Sequence, residues 1–294
     1  MKNLVIIGWG RMGITHSSIL GGMAAVTIEI VEHDPKIRKI LSANFDYLVY
    51  SNISEVDMKG KYVVVSTPPA FHKDITESVL SRGAKRVFVE KPGGLSQQKL
   101  PVDDRIIVGY VLRYTEVAQL LREIVEDEGC LELSLDYSSH TVTSKTKGWR
   151  SESNSGLLEE VGCHMLDLMN YILCPSKVDI VSLKGERYFS KGYDMLKGHF
   201  VADKSVFKLS LNWSDPKRRK PFWHGELKTN KRTIKFDQQK LDIPFDINTV
   251  DYYVRGREFS NQMLHFINDD MSIGCSSRSS NNVHDLIQRI NKVK

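Results

Sequence analysis

The most constraining stretch of this chain is Leu4-Val5-Ile6-Ile7-Gly8-Trp9-Gly10-Arg11-Met12-Gly13. An apolar run closing on glycines spaced G-x-G-x-x-G reads as a buried strand that turns sharply into a helix. Gly8 allows the tight exit from the strand, Gly10 lets backbone approach a pyrophosphate, and Gly13 lets helix and strand pack closely. The first helical turn, with Arg11 and Met12, then offers unpaired amides and a positive dipole end to phosphates. The next apolar run, Val26–Val31, ends on Glu32, about 20 positions beyond the turn, where a carboxylate accepts the ribose hydroxyls of a dinucleotide. A carboxylate there repels a 2′-phosphate, and no Arg follows it at once, so NAD is favoured over NADP. Asp34 before Pro35 competes for the ribose role but suits a helix cap better, and the bland reading of Glu32 is a polar strand end.

Up to Tyr114, continuous apolar runs alternate with helix-type periodic segments, the pattern of βαβ units around a sheet covered on both faces. Strands are expected at Leu4–Ile7, Val26–Val31, Tyr62–Ser66, Arg86–Val89 and Ile106–Tyr110, with helices at Met12–Met23 and Phe71–Ser81, the second stopped by Gly83. After that the rhythm changes. Glu116–Glu126 reads as a helix ending at Gly129, Leu131–Tyr137 as a half-exposed strand, and Leu157–Leu173 as a helix ending before Pro175. Val178–Arg187, Lys197–Val201, Ser205–Trp213, Trp223–Lys228 and Arg232–Asp237 read as consecutive antiparallel strands, and Val283–Val293 as a last helix. The expected fold is α/β: a doubly wound parallel sheet over residues 1–114, then an α+β domain on a largely antiparallel sheet over 115–294.

With 294 residues the chain has room for two such domains. Its four cysteines form no CxxC pair, which suits neither a zinc site nor a disulfide framework, and no His/Cys/carboxylate cluster has metal-ligand spacing. No apolar stretch approaches a membrane span of roughly 20 residues, and the first run is too short for a signal-peptide core, so a cytoplasmic location is expected. The net charge of +5 is mild and concentrates in Pro216-Lys217-Arg218-Arg219-Lys220-Pro221 and in Lys228 to Lys235. Such runs read as solvated turns or hairpin faces, with attraction of a phosphorylated or nucleotide-linked sugar as the alternative. Nucleic-acid binding has no accompanying motif. If Phe207, Leu209, Leu211 and Trp213 form an exposed sheet face, covering them favours a homodimer or homotetramer through that sheet.

Three further blocks belong together. They are Ser66-Thr67-Pro68-Pro69-Ala70-Phe71-His72, then Val87-Phe88-Val89-Glu90-Lys91-Pro92, then Trp149-Arg150 with Gly156 and Glu160-Val161-Gly162-Cys163-His164-Met165-Leu166-Asp167. Here the chain resembles the glucose–fructose oxidoreductase / inositol dehydrogenase (Gfo/Idh/MocA) family of NAD(P)-dependent oxidoreductases. The resemblance implies a Rossmann domain and hydride transfer between the nicotinamide and a secondary alcohol of a sugar, polyol or sugar derivative. It places Lys91 on the reacting hydroxyl after a cis Lys91–Pro92 bond and assigns His164 to proton transfer. Glu160 then orients either the imidazole or a neighbouring hydroxyl. Thr67, Pro68, His72 and Glu90 fall on the cofactor side, His72 shaping the nicotinamide pocket or capping its helix; Arg113, Trp149 and Arg150 fall on the substrate side. By spacing alone, Glu160 and His164 share one helix face, with Asp167 a further turn along.

There are departures from the family pattern. Glu160 stands where the family mostly carries Asp, and Val111 where a polar residue is usual. Pro92 to Arg105 is too short for the usual connecting helix. The same scaffold is also compatible with NAD-assisted glycoside cleavage and with a non-catalytic sensor of cofactor or sugar.

Overall fold

The computed structural model describes residues 1–23, 25–95, 98–142, 156–242 and 256–293. The chain divides into two compact units, Met1–Tyr110 with Phe259–Asn281, and Val111–Glu258 with Asn282–Lys294.

The first unit opens with β1 (Lys2–Ile7), α1 (Arg11–Gly21), β2 (Val26–Val31), α2 (Pro35–Asn44) and β3 (Leu48–Tyr50). It continues with β4 (Tyr62–Val65), α3 (His72–Ser81), β5 (Arg86–Val89) and β6 (Ile106–Val108). These strands pair in parallel in the order β6-β5-β4-β1-β2-β3. The chain runs outward from β1 in one direction and from β4 in the other. The crevice between them, at the carboxyl ends of the strands, is the switch point where such sheets bind ligands. Leu4, Val5, Ile6, Val63, Val64, Val65, Val87 and Phe88 are fully buried, as expected of strands covered on both faces. Asp34 is indeed a cap: its carboxylate accepts the Lys36 amide at 2.8 Å and starts α2.

The second unit begins with α4 (Glu116–Glu128) and β7 (Glu132–Ser138). A π-helical turn (Leu158–Gly162) leads into α5 (Cys163–Leu173). Five strands follow: β8 (Val178–Glu186), β9 (Met195–Ala202), β10 (Ser205–Asn212), β11 (Phe222–Lys228) and β12 (Thr233–Asp237), with a short β13 (Leu241–Asp242). The sheet order is β13-β12-β11-β7-β10-β9-β8. This corrects the expectation of consecutive antiparallel neighbours, because β7 inserts between β10 and β11 and pairs with β10 in parallel. Alternation reports which residues share a face; it carries no information about which strand lies next door.

The proposed apolar partner surface is also corrected. Phe207, Leu209, Leu211 and Trp213 are buried within the chain itself. A Cβ on Gly162 would stand 3.0 Å from Leu211 Cδ1, so helix and strand are in direct contact. The opposite face is polar: Glu132 accepts Lys208 Nζ at 2.6 Å and Lys228 Nζ at 3.1 Å. The basic runs are a fully exposed turn at 216–221 and a hairpin in which Lys231 meets Asp127 and Arg232 meets Glu128. Both match the solvated reading.

The chain then returns through α6 (Arg257–Ile267), β14 (Cys275–Ser276) and α7 (Ser277–Lys292). Met263, Phe266 and Ile267 complete the core cluster formed by Leu4, Ile6, Leu20, Tyr62, Val64, Phe88 and Ile107, and β14 adds an antiparallel edge to β6. This return supports the short Pro92–Arg105 connection. Asn281 brackets Leu100, accepting its amide at 3.2 Å and donating to its carbonyl at 2.9 Å, and Ser277 Oγ accepts the Asp103 amide. The domain boundary expected at residue 114 therefore differs from the observed division in two ways: the first unit closes at Tyr110 and regains 259–281.

Candidate active site

The site elements of the first unit lie at the ends of β1, β2, β4 and β5. Gly8 adopts φ +87°, a conformation that L side chains rarely take, and Gly13 sits so close to it that a Cβ would stand 2.2 Å from the Gly8 carbonyl oxygen. At Gly10 a Cβ would meet nothing within 4 Å, so open space faces the middle of the turn. No side chain caps α1, and its first turn carries no acidic residue, which leaves the amides from Arg11 onward to an anion. Ser66 Oγ donates to the Gly8 carbonyl at 2.6 Å and ties the end of β4 to the turn.

Glu32 is buried at the end of β2. Its Oε2 accepts the Trp9 amide at 2.7 Å and its Oε1 the Asp34 amide at 2.9 Å. A carboxylate held this way keeps lone pairs for ribose hydroxyls while it fixes the glycine-rich turn. Arg38, on α2, donates to the carbonyls of Glu32 and His33 at 2.9 and 2.7 Å. Sequence spacing missed this arginine because it approaches from the next helical turn. Thr67 Oγ1 is buried without a hydrogen-bond partner among the described residues, the situation a bound dinucleotide would relieve. These features fit NAD: an open turn with free amides, a buried ribose acceptor and a waiting hydroxyl.

Pro68 ends the turn after β4, its carbonyl accepting the Phe71 amide. His72 is fully buried and does not cap α3. Its Nδ1 lies 2.9 Å from the Pro92 carbonyl and its Nε2 2.8 Å from that of Thr67. A neutral ring donates from one nitrogen only, so the protonated ring suits both contacts better. Burial nevertheless wins over the two carbonyls and the Glu90 charge, and lowers the proton affinity of the ring. The Lys91–Pro92 bond is cis, as the resemblance implied. Lys91 is half-buried between two buried neighbours, Glu90 and Pro92.

In the second unit, Glu160 is buried in the π-helical turn and His164 is half-buried on α5. A π-turn holds more residues per turn than an α-turn, so residues four apart come more nearly into line across this junction than on a regular helix. Tyr137, on β7, feels the Glu160 carboxylate. Burial first, and then that charge, push its phenol upward, while hydrogen bonds with Ser139 and Thr141 oppose them. Sequence alternation placed Tyr137 only at the end of a half-exposed strand. Arg113, expected on the substrate side, is buried and forms a bidentate pair with Asp167, Nε to Oδ2 at 2.8 Å and Nη2 to Oδ1 at 2.6 Å. Its guanidinium also lies 5.3 Å from the Tyr171 ring centre. Trp149 and Arg150 lie outside the described residues. Among the described residues no group of three or more His, Cys, Asp or Glu is placed to hold a metal ion, and no helix is long and apolar enough to cross a membrane.

A doubly wound parallel sheet with this turn at its switch point defines a dinucleotide-binding protein of the Rossmann class. Residues 2–100 match the model of an oxidoreductase family with an NAD-binding Rossmann fold, GFO_IDH_MocA. Glucose-6-phosphate 3-dehydrogenase of Bacillus subtilis (strain 168) is 22% identical over 189 residues, covering 58% of this chain and 54% of that protein. The chain spans about half the length of the curated relatives it matches. Among solved structures, the WlbA dehydrogenase from Bordetella pertussis, in complex with NADH and UDP-GlcNAcA, superposes with a TM-score of 0.79 at 14% identity, covering 98% of this chain and 94% of that one. UDP-N-acetylglucosamine 3-dehydrogenase GnnA from Acidithiobacillus ferrooxidans gives 0.76 at 15% identity, covering 98% and 95%. At such identities the likeness establishes the fold of both units.

Proposed function

We propose that this chain is an NAD-dependent dehydrogenase acting on a secondary alcohol of a sugar or polyol, with a phosphorylated or nucleotide-linked sugar as the leading class. The carrying observation is Lys91, half-buried at the carboxyl edge of the first sheet, flanked by buried Glu90 and Pro92 and in the same unit as the glycine-rich turn and Glu32. Relatives named as dehydrogenases of glucose 6-phosphate and of UDP-N-acetylglucosamine support the substrate class. When bound, the nicotinamide accepts or returns the hydride.

In this reading Lys91 hydrogen-bonds the reacting oxygen and stabilises negative charge that develops there. His164 takes the hydroxyl proton in oxidation and returns it in reduction, the general acid–base role to which an imidazole is chemically suited. Glu160 orients the imidazole or a neighbouring substrate hydroxyl. Arg113 contributes indirectly, holding Asp167 and through it the helix that carries His164. Assembly into a homodimer or homotetramer through the open polar face of the second sheet, and a cytoplasmic location, belong to the same proposal; mass in solution tests the assembly.

The deciding experiment follows NAD reduction across sugars, inositols, sugar phosphates and nucleotide sugars. With the best substrate, Lys91→Met and His164→Ala are each expected to lower turnover at least about a hundredfold while NADH still binds. Undiminished turnover in both variants would refute these roles. Release of free sugar from a glycoside with no net change in NAD selects glycoside cleavage instead, and NADH binding with no turnover on any substrate selects the sensor.

A further inference from the structure

A buried polar pair lies beneath Lys91, and the roles proposed above leave it unused. His16, on α1 three residues after Gly13, is fully buried, with its ring edge-on to Phe88 at 5.1 Å between centres. Its Nε2 stands 2.6 Å from Glu90 Oε1, and its Nδ1 is buried with no partner among the described residues. The other Glu90 oxygen, Oε2, accepts the Lys91 amide at 3.1 Å, and the Glu90 amide donates to the Val65 carbonyl at 2.9 Å. The titratable groups facing Glu90 are His16 from α1, Lys91 beside it in sequence, and His72 from α3. Burial alone would raise this carboxyl. The His16 hydrogen bond and charge, with Lys91, outweigh burial and hold it below the ordinary glutamate value.

For simple core filling this arrangement is a poor choice. A leucine would cover Phe88 without leaving a ring nitrogen unsatisfied, and a buried carboxylate is costly unless it is paired. We propose that His16 is a positioning residue for Lys91: by holding the Glu90 carboxylate it fixes the backbone at Lys91 against α1. The helix that receives the dinucleotide phosphates and the lysine that meets the substrate then share one buried link. The inference rests on the role proposed for Lys91, but the link can be tested without substrate.

The experiment is trace acetylation of the full-length protein without cofactor at pH 8. Lys91 is read by peptide mass spectrometry against exposed Lys39 as internal reference. In His16→Leu, Glu90 loses its donor, and the Lys91 backbone loses its tie to α1. The Lys91 side chain, no longer held in place, opens more often to the reagent and is labelled about threefold faster or more. Glu90→Gln is expected to give the same acceleration, and the double variant no more than either single change, since both act through one link. His16→Gln keeps a donor and restores wild-type labelling.

Wild-type labelling of Lys91 in His16→Leu, equal acceleration in His16→Gln, or additive effects in the double variant overturn the proposal. If His16→Leu does not fold, Glu90→Gln and His16→Gln decide: acceleration in the first alone supports the link, and any other result overturns it. A failed link leaves the dehydrogenase screen untouched, and a failed screen leaves the labelling result standing, so the two readings fail separately.

Discussion

Gly10 and Gly13 are three residues apart and answer to different demands. Gly13 is required by the protein itself, since a methyl group there would collide with the Gly8 carbonyl 2.2 Å away, whereas at Gly10 the space is open. Gly13→Ala is therefore expected to cost about 2 kcal/mol of unfolding free energy, in the range of overpacking changes. Gly10→Ala should melt within about 2 °C of the parent, as a surface change does, yet bind NADH at least about tenfold more weakly, because its methyl occupies room the pyrophosphate needs. Thermal melts and a fluorescence titration separate the two. The glycines and Glu32 were legible in the sequence because their roles follow from backbone geometry and local spacing. His16, Arg38 and the unsatisfied Thr67 hydroxyl were not, since each is defined by what it meets elsewhere. Arg113 adds a contact the sequence did not announce: its side chain pairs with Asp167.

Among the elements, α6 is held by its own end. Asp269, at φ +60°, accepts Tyr62 Oη and Lys85 Nζ at 2.8 Å and Arg86 Nε at 3.0 Å, and so ties the segment after α6 to β4 and β5. Burial would raise this carboxyl, but its hydrogen bonds with Lys85 and Tyr62 and the Lys85 charge, with Arg86, hold it below the ordinary aspartate value. A depressed carboxyl adds stability that is complete above its unfolded value and is lost as pH falls through the lower folded one. Asp269→Asn tolerates the same backbone, removes the charge and turns one of the two acceptor oxygens into a donor. It should cost no more than about 1 kcal/mol at pH 7 for a half-exposed pair, with a smaller difference from wild type near pH 3, measured by urea unfolding at both values. Strands β1, β2, β4, β5 and β6 and helices α1 and α3 were readable from continuous apolar runs and periodicity; α2, β3, α6 and β14 were not. The π-turn before α5 was not, because an i→i+5 turn leaves no signature distinct from the amphipathic pattern around it.

Across the whole molecule, the decisive event is the return of residues 259–281 to the first unit. Met263, Phe266 and Ile267 are nearly inaccessible to solvent there, each contributing about 1.5–3 kcal/mol through burial. A fragment of residues 1–114 leaves the face under α6 exposed; it is expected to bind hydrophobic dye and to unfold without a cooperative transition. Appending residues 257–281 through a flexible linker should restore a sigmoidal melt and NADH binding. A cooperative melt for the short fragment alone would count against this account. The sequence by itself determined the class of both sheets and the nucleotide-binding turn, because these depend on residues close together along the chain. Tertiary structure alone decided that β7 sits beside β10, that the apolar face of the second sheet is buried within the chain, that Arg113 pairs with Asp167, and that His16 grips Glu90. Each of these is a contact between residues far apart in sequence, chosen by competition among surfaces that local pattern presents as equivalent.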